Sequence, residues 1–153
     1  MILLVHLEKI DQKNCYECFK LSVFESQRNF VAANITSLAE AYVRRDLVEP
    51  YAIYNDETMV GFVMIIPDDD DLQSMYIWRL MVDQKYQGQG FGKQTLRLII
   101  EMVESRHAFT AIKLSFEPEN SHAKNLYESL GFVLTGRILE GEAEMELKLA
   151  SGK

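Results

Sequence analysis

Apolar positions along the 153-residue chain change their period several times, and each change marks a predicted element. The opening run Ile2 to Leu7 is apolar throughout and predicts a strand. Asp11 is placed to cap a helix through about Leu21, with Cys15, Cys18 and Phe19 at helical spacing. A second helix is expected over Asn34 to Asp46, carried by Leu38, Ala41, Tyr42 and Arg45. Strands are expected at Tyr51 to Tyr54 and Met59 to Ile66, and the Asn55-Asp56-Glu57 between them suits a hairpin turn. Ser74 to Val82 reads as a further strand, followed by a polar, glycine-rich stretch from Asp83 to Gly92. The helix after it runs to about His107 on the stripe Leu96, Ile99, Ile100 and Val103. Ala111 to Phe116 predicts a strand, and Ser121 to Leu130 a short helix that Gly131 ends as its C′ residue. Phe132 to Thr135 and Glu142 to Leu149 close the chain as strands. Strands and about four helices mix without strict alternation, so the expected class is α/β or α+β, with a mixed, largely antiparallel central sheet.

Composition narrows the class of protein. With 48% apolar and 25% charged residues, the chain has the make-up of a globular protein, expected as a single domain over residues 1–153. No apolar run approaches the ~18 residues a membrane helix requires. The start, MILLVHLEKI, lacks a basic n-region and a small-residue cleavage site, so it reads as mature chain. A net charge of −7 argues against nucleic acid as the partner and permits a cationic small molecule. Cys15-Tyr-Glu-Cys18 is a C-x-x-C, but a zinc site would need two more ligands and His6, His107 and His122 are not at ligand spacing. The expectation is therefore no metal, two half-buried helical thiols and a reducing cytoplasm. The acidic run Asp68 to Asp71 follows Pro67 and reads as a solvated loop, too hydrated to be a site.

The chemistry concentrates in Leu80-Met-Val-Asp-Gln-Lys-Tyr-Gln87-Gly-Gln-Gly90-Phe-Gly92-Lys93: a strand, a three-glycine loop and a helix N-terminus. Glycines admit positive φ and close approach of a ligand to the backbone. Unpaired N–H groups at the helix start bind phosphate, and Lys93 adds a cation there. Gly88, Gly90 and Gly92 do not match the G-x-G-x-x-G of dinucleotide folds, and Gln94 after Gly92-Lys93 breaks the P-loop pattern.

Gln87-x-x-Gly90-x-Gly92 resembles the Q/R-x-x-G-x-G/A signature of the GNAT superfamily of N-acetyltransferases. Further on, Asn120-x-x-Ala123-x-x-Leu126-Tyr127-x-x-Leu130-Gly131-Phe132 resembles that family's second hallmark, and neither motif departs at a defining position. The resemblance covers roughly residues 76 to 136. It implies the GNAT fold and an acetyl-CoA-dependent acyltransferase, with acetyl-CoA as co-substrate. By the same resemblance, backbone amides of Gln87, Gly88, Gln89, Gly90, Phe91, Gly92 and Lys93 hold the CoA pyrophosphate. Leu80, Met81 and Val82 pair with the pantetheine arm, and an amide there polarises the thioester carbonyl. Asn120 steadies the cofactor, and Tyr127 stands by the sulfur. Spacing alone makes Tyr127 a core residue beside Ala123, Leu126 and Leu130; the motif makes it the catalytic acid, on the argument that a phenol and a thiol have comparable pKa values.

A narrower resemblance concerns the acceptor. Phe24 to Asn34 and Tyr76-Ile-Trp78-Arg79-Leu80 look like small bacterial diamine and spermine/spermidine N-acetyltransferases. Tyr76 and Trp78 share one strand face and offer cation–π surface to a polyamine; Trp78 is equally readable as sheet cover. Glu25 and Glu49 flank segments that by resemblance border the acceptor channel, and are candidates to bind substrate or to take its proton. The expected reaction is direct acetyl transfer to a primary amine in a ternary complex, with a homodimer as the expected assembly. Another amine (a protein N-terminus, an amino acid, an aminoglycoside) or a non-catalytic CoA-binding module are the alternatives.

Overall fold

The structure is a computed structural model and describes residues 4–150. Seven strands follow the order β1-β2-β3-β4-β5-β7-β6. They are β1 Val5–Lys9, β2 Glu49–Asn55, β3 Thr58–Asp68, β4 Asp71–Val82, β5 Ala111–Phe116, β6 Val133–Leu139 and β7 Glu142–Lys148. The helices are α1 Cys15–Lys20, α2 Asn34–Val43, α3 Phe91–Ser105 and α4 Ser121–Ser129, with 3-10 turns at Glu25–Gln27 and Gln84–Tyr86. β1, β2 and β3 pair antiparallel, as do β5 with β7 and β7 with β6. β4 and β5 run parallel, which is what a helical crossover such as α3 between them requires. The mixed, mostly antiparallel sheet expected from the apolar pattern is the one found.

The chain divides into two compact units. The first takes the chain as far as Ile65 together with Arg79–Leu98. Its centre is β3, where Val60, Phe62, Val63, Met64 and Ile65 are all buried. A strand buried along its length reads as a continuous apolar run, which is how Met59 to Ile66 announces itself. Gly61 interrupts that run because the backbone of β4 comes too close: a Cβ there would collide with the Met81 carbonyl. Asp56, in the hairpin turn, adopts a φ of 54°, which aspartate tolerates better than most residues. α1 is shorter than expected. The Asp11 carboxylate takes the N–H groups of Lys13 and Asn14 at 2.8 and 3.1 Å, so it closes a turn and the helix starts only at Cys15. α2 stops at Val43 instead of Asp46, with the Arg44 carbonyl taken by the N–H groups of Leu47 and Val48. Ile2 and Leu3 of the predicted first strand lie outside the described residues.

The second unit takes Ile66–Trp78 and the chain from Ile99 onward. One face of its sheet is apolar, with Met75, Ile77, Ile112, Leu114 and Met145 buried. Asp68 to Asp71 does not form the solvated loop its charge suggests. Asp68 ends β3 and Asp71 begins β4, and the turn between them contains only Asp69 and Asp70. The β4–β5 register sets Lys113 across from Tyr76, and its ammonium reaches Asp68 at 3.4 Å and Asp71 at 3.3 Å. Lys113 and Asp68 are both buried.

Two stability outcomes follow from this packing. Gly61→Ala should lower the free energy of unfolding by about 1–3 kcal/mol, since the added methyl must displace backbone, and urea denaturation reads it directly. Lys113→Met should cost about 3–5 kcal/mol because it strands the buried Asp68 carboxylate; the double variant Lys113→Met with Asp68→Leu should recover much of that loss.

Candidate active site

The glycine loop belongs to the first unit, and its geometry is set from within that unit. β4 ends at Val82, and Asp83 turns the chain. Asp83 is buried; its N–H donates to the Val60 carbonyl at 2.8 Å, while its carboxylate accepts from Ser22 N at 2.8 Å and Lys85 N at 3.1 Å. Those bonds cap the 3-10 turn Gln84–Tyr86 and anchor residue 22 to it. Gln87 then folds back. Its amide donates to the Val82 carbonyl at 2.9 Å and exchanges hydrogen bonds with the Gln27 amide at 2.9 and 3.0 Å. Gln27 also accepts from Phe24 N at 3.2 Å, so the 3-10 turn carrying Glu25 is tied to the loop. The resemblance gives Gln87 a backbone amide for the cofactor, and its side chain shapes the loop.

Beyond Gln87 the chain needs glycine. Gly88 and Gly90 have φ of 79° and 88°, a region costly for any residue with a Cβ. A Cβ at Gly88 would meet nothing within 4 Å, so its space is open. Phe91 is buried and starts α3, and the first helical N–H to find a carbonyl is that of Gln94, on Gly90 at 3.1 Å. The first-turn N–H groups of Phe91, Gly92 and Lys93 therefore have no partner within the helix. Two exposed glycines in positive φ, Gly88 and Gly90, thus lead into a helix start whose N–H groups have the chemistry to take an anion, with Lys93 in its first turn. Leu80 and Val82 are half-buried, while Met81 points into the core beside Asn34, whose amide also bonds the Cys18 carbonyl at 2.9 Å. Cys18 is fully buried and burial pushes its thiol up to about 11, so it is inert packing; Cys15 is half-exposed. Glu25 is exposed, and Glu49 accepts the Tyr51 hydroxyl at 2.6 Å.

The second unit holds Tyr76, Trp78, Asn120 and Tyr127. Each residue of the second motif has a mechanical part in α4. The Asn120 side chain accepts from Ala123 N at 3.2 Å and caps the helix. Ala123, Leu126, Tyr127 and Leu130 form its half-buried face. Gly131, at φ 98°, donates to the Glu128 carbonyl, and Phe132 N donates to Tyr127 O at 3.1 Å: a Schellman ending. Phe132 then lies against the Tyr127 ring, with centroids 6.1 Å apart, and Phe116 meets the same ring edge-on at 6.2 Å. Burial, followed by the negative charge of Glu142, pushes the Tyr127 hydroxyl up to about 12. The comparable acidity of phenol and thiol expected from reference values is therefore absent. Tyr127 holds its proton more firmly than an ordinary phenol.

Tyr76 and Trp78 are both half-buried on the polar face of β4, opposite Met75 and Ile77. The Tyr76 hydroxyl is also pushed up to about 12, chiefly by burial, with Glu144, Asp68 and Glu142 adding negative charge and a hydrogen bond to Ser115 opposing them. Nothing in the local pattern of β7 singles out Glu142 and Glu144, since a strand of alternating glutamates reads as a solvated edge. Gln27 and Asp83 were equally invisible, being ordinary polar residues until the loop folds onto them. No group of three His, Cys, Asp or Glu residues among the described residues could hold a metal ion, and no described helix is long and apolar enough to cross a membrane.

Comparison with known proteins adds the lineage. Over nearly its whole length the chain is similar to the spermine/spermidine N(1)-acetyltransferase of Bacillus subtilis (strain 168): 27% identical over 151 residues, covering 95% of this chain and 99% of that one. Its fold is similar to the crystal structure of spermidine N-acetyltransferase from Vibrio cholerae in complex with CoA and spermine, with a TM-score of 0.78, 15% identity and coverage of 97% and 98%. It is also similar to RimL, a ribosomal L7/L12 alpha-N-protein acetyltransferase in complex with CoA, with a TM-score of 0.75, 14% identity and coverage of 98% and 96%. The family model described as "Acetyltransferase (GNAT) family" matches residues 6–132, and the chain belongs to that family.

Proposed function

We propose that this N-acetyltransferase moves the acetyl group of acetyl-CoA to a primary amine of a polyamine or diamine such as spermidine or spermine, by direct transfer in a ternary complex. The observation that carries the acceptor is the similarity, over 95% of the chain, to a spermine/spermidine N(1)-acetyltransferase. Residues 1–153 are proposed to act as one acetyltransferase domain in the cytoplasm. Self-association into a homodimer belongs to the same reading and is supported by the exposed Val133, Leu134 and Ile138 of the edge strand β6.

When bound, acetyl-CoA supplies a thioester whose carbonyl carbon accepts the amine and whose sulfur departs. The Gln87–Lys93 cradle is proposed to bind its pyrophosphate through backbone N–H groups, with Gln87 and Asp83 holding the loop in shape. The backbone of Leu80–Val82 is proposed to run beside the pantetheine, with an N–H aimed at the thioester oxygen. Asn120 steadies the cofactor's end of α4 through its cap. Tyr127 is the proposed acid. With its hydroxyl pushed up to about 12, it stays protonated throughout the physiological range and releases the proton only as negative charge builds on the sulfur. The attacking amine must be neutral, whereas a free alkylamine is mostly protonated at pH 7. Glu25 and Glu49 are the proposed candidates for taking that proton. Glu25 is exposed, whereas one oxygen of Glu49 already accepts the Tyr51 hydroxyl.

Thiol release from acetyl-CoA, measured against spermidine, spermine, diamines, peptides and aminoglycosides, tests the acceptor. Turnover confined to polyamines and diamines is expected. Turnover with peptides or aminoglycosides instead overturns the acceptor, and CoA binding without release from any amine overturns catalysis. Tyr127→Phe should lower kcat about 100-fold or more, the usual range for loss of a general acid, while the dissociation constant for CoA stays within about twofold; undiminished turnover removes Tyr127 from this role.

A further inference from the structure

α2, in the first unit, is built the wrong way round for a surface helix. Such a helix normally turns its apolar stripe to the core and its polar side chains to water. Here the buried positions are Asn34, Ser37 and Ala41, and the Asn34 amide donates to the Cys18 carbonyl at 2.9 Å. Ile35, Ala39, Tyr42 and Val43 are exposed, and their spacing of 0, 4, 7 and 8 sets them on one stripe. Ile35 is 59%, Tyr42 69% and Val43 77% exposed. Tyr42, expected from the sequence on the same apolar period as Ala41, stands in water instead.

Charge is kept off this stripe. Glu40 is the one charged residue of α2, and its carboxylate accepts from Arg79 of β4 at 2.9 Å. Arg45, in the turn after the helix, donates to the Tyr42 carbonyl at 3.0 Å and lies over the Tyr42 ring at 4.8 Å, so the ring is ordered before anything packs on it. A chain of net charge −7 repels its own copies, and a stripe without a carboxylate is where that repulsion is weakest. At these exposures the four side chains leave roughly 400 Å² in water, the size of the largest apolar patch on a typical monomer. A stable interface takes about 800 Å² from each partner, so the stripe supplies the apolar centre of one, and Thr36, Arg45 and Leu47 beside it supply a rim.

We propose that the outer stripe of α2 is a self-contact, on which two copies of this chain pack their α2 helices antiparallel about a two-fold axis at Ala39. The order of residues is what selects a second copy over another partner. A two-fold contact requires that residue i meet residue j and j meet i. Turned about Ala39, Ile35 stands opposite the partner's Val43, Thr36 stands opposite the partner's Tyr42, and Ala39 meets its own copy. The small side chain at the axis lets the helices approach closely, and the antiparallel arrangement opposes their dipoles. This rests on the self-association reading above and adds to it a face separate from β6.

The mass of the purified full chain in solution, by sedimentation equilibrium, tests it, with circular dichroism and CoA binding checking that each variant folds. The wild type should hold two or more chains per particle. Ala39→Glu keeps a good helix former at an exposed position but sets two carboxylates against each other at the axis, and should bring the mass to about half at the same concentration. In a Cys15→Ser background, Ala39→Cys should give a disulfide-linked dimer on mild oxidation and Thr36→Cys should not, because only a residue at the axis meets its own copy. Absence of the Ala39→Cys link in a folded oligomer overturns the proposed axis. A monomeric wild type overturns the self-contact, and its co-sedimentation with phosphatidylglycerol vesicles would assign the stripe to a membrane instead. A mass unchanged by Ala39→Glu but halved by Ile138→Glu on β6 also overturns it, while upholding the self-association proposed through that strand.

Discussion

The glycine loop between β4 and α3 is held in shape by one buried carboxylate. Asp83 stands where β4 must stop pairing and the chain must open into a loop. A free strand end leaves backbone groups unsatisfied, and Asp83 answers three of them: it donates to Val60 O and accepts from Ser22 N and Lys85 N. Gln87 completes the shape by returning to the Val82 carbonyl and joining the Gln27 amide. N–H groups without a partner at the start of a helix suit anion recognition by backbone, which makes no call on excess basic residues. An acidic protein can therefore hold a polyanionic cofactor.

A comparable economy shapes α4. Its hallmark residues are first of all the parts of a short helix: a cap at Asn120, a packing face, a left-handed glycine and an aromatic at C″. A nine-residue helix is too short to persist by itself, and these end groups supply what its length does not. Tyr127 is thereby fixed between Phe116 and Phe132 in an environment that favours the neutral phenol. The same burial that makes it look like a core residue is what keeps its proton in place.

Much of this was legible in the chain. The bounds of β5 follow from its apolar run, and the stripe on α3 predicts the burial of Leu96, Ile99 and Val103. The two glycine-bearing motifs announce their turns because only particular residues tolerate positive φ, and Gly88, Gly90 and Gly131 all adopt it. Helix ends were less legible. Asp11 could cap a helix or close a turn, and the choice between them lies in backbone angles that residue type does not specify.

Charge was the least legible property. Asp68 reads as part of a solvated acidic run until strand register brings it Lys113, and Glu144 reads as an exposed edge residue until its neighbours bury it. Local pattern determined the elements, the family and the glycine turns, because periodicity and φ preference are properties of short segments. Tertiary structure alone decided that Gln27 holds Gln87, that Lys113 meets Asp68 and that Ser115 meets Glu142. These pairs join residues far apart in sequence, and their meeting depends on sheet register and burial, which no single segment encodes.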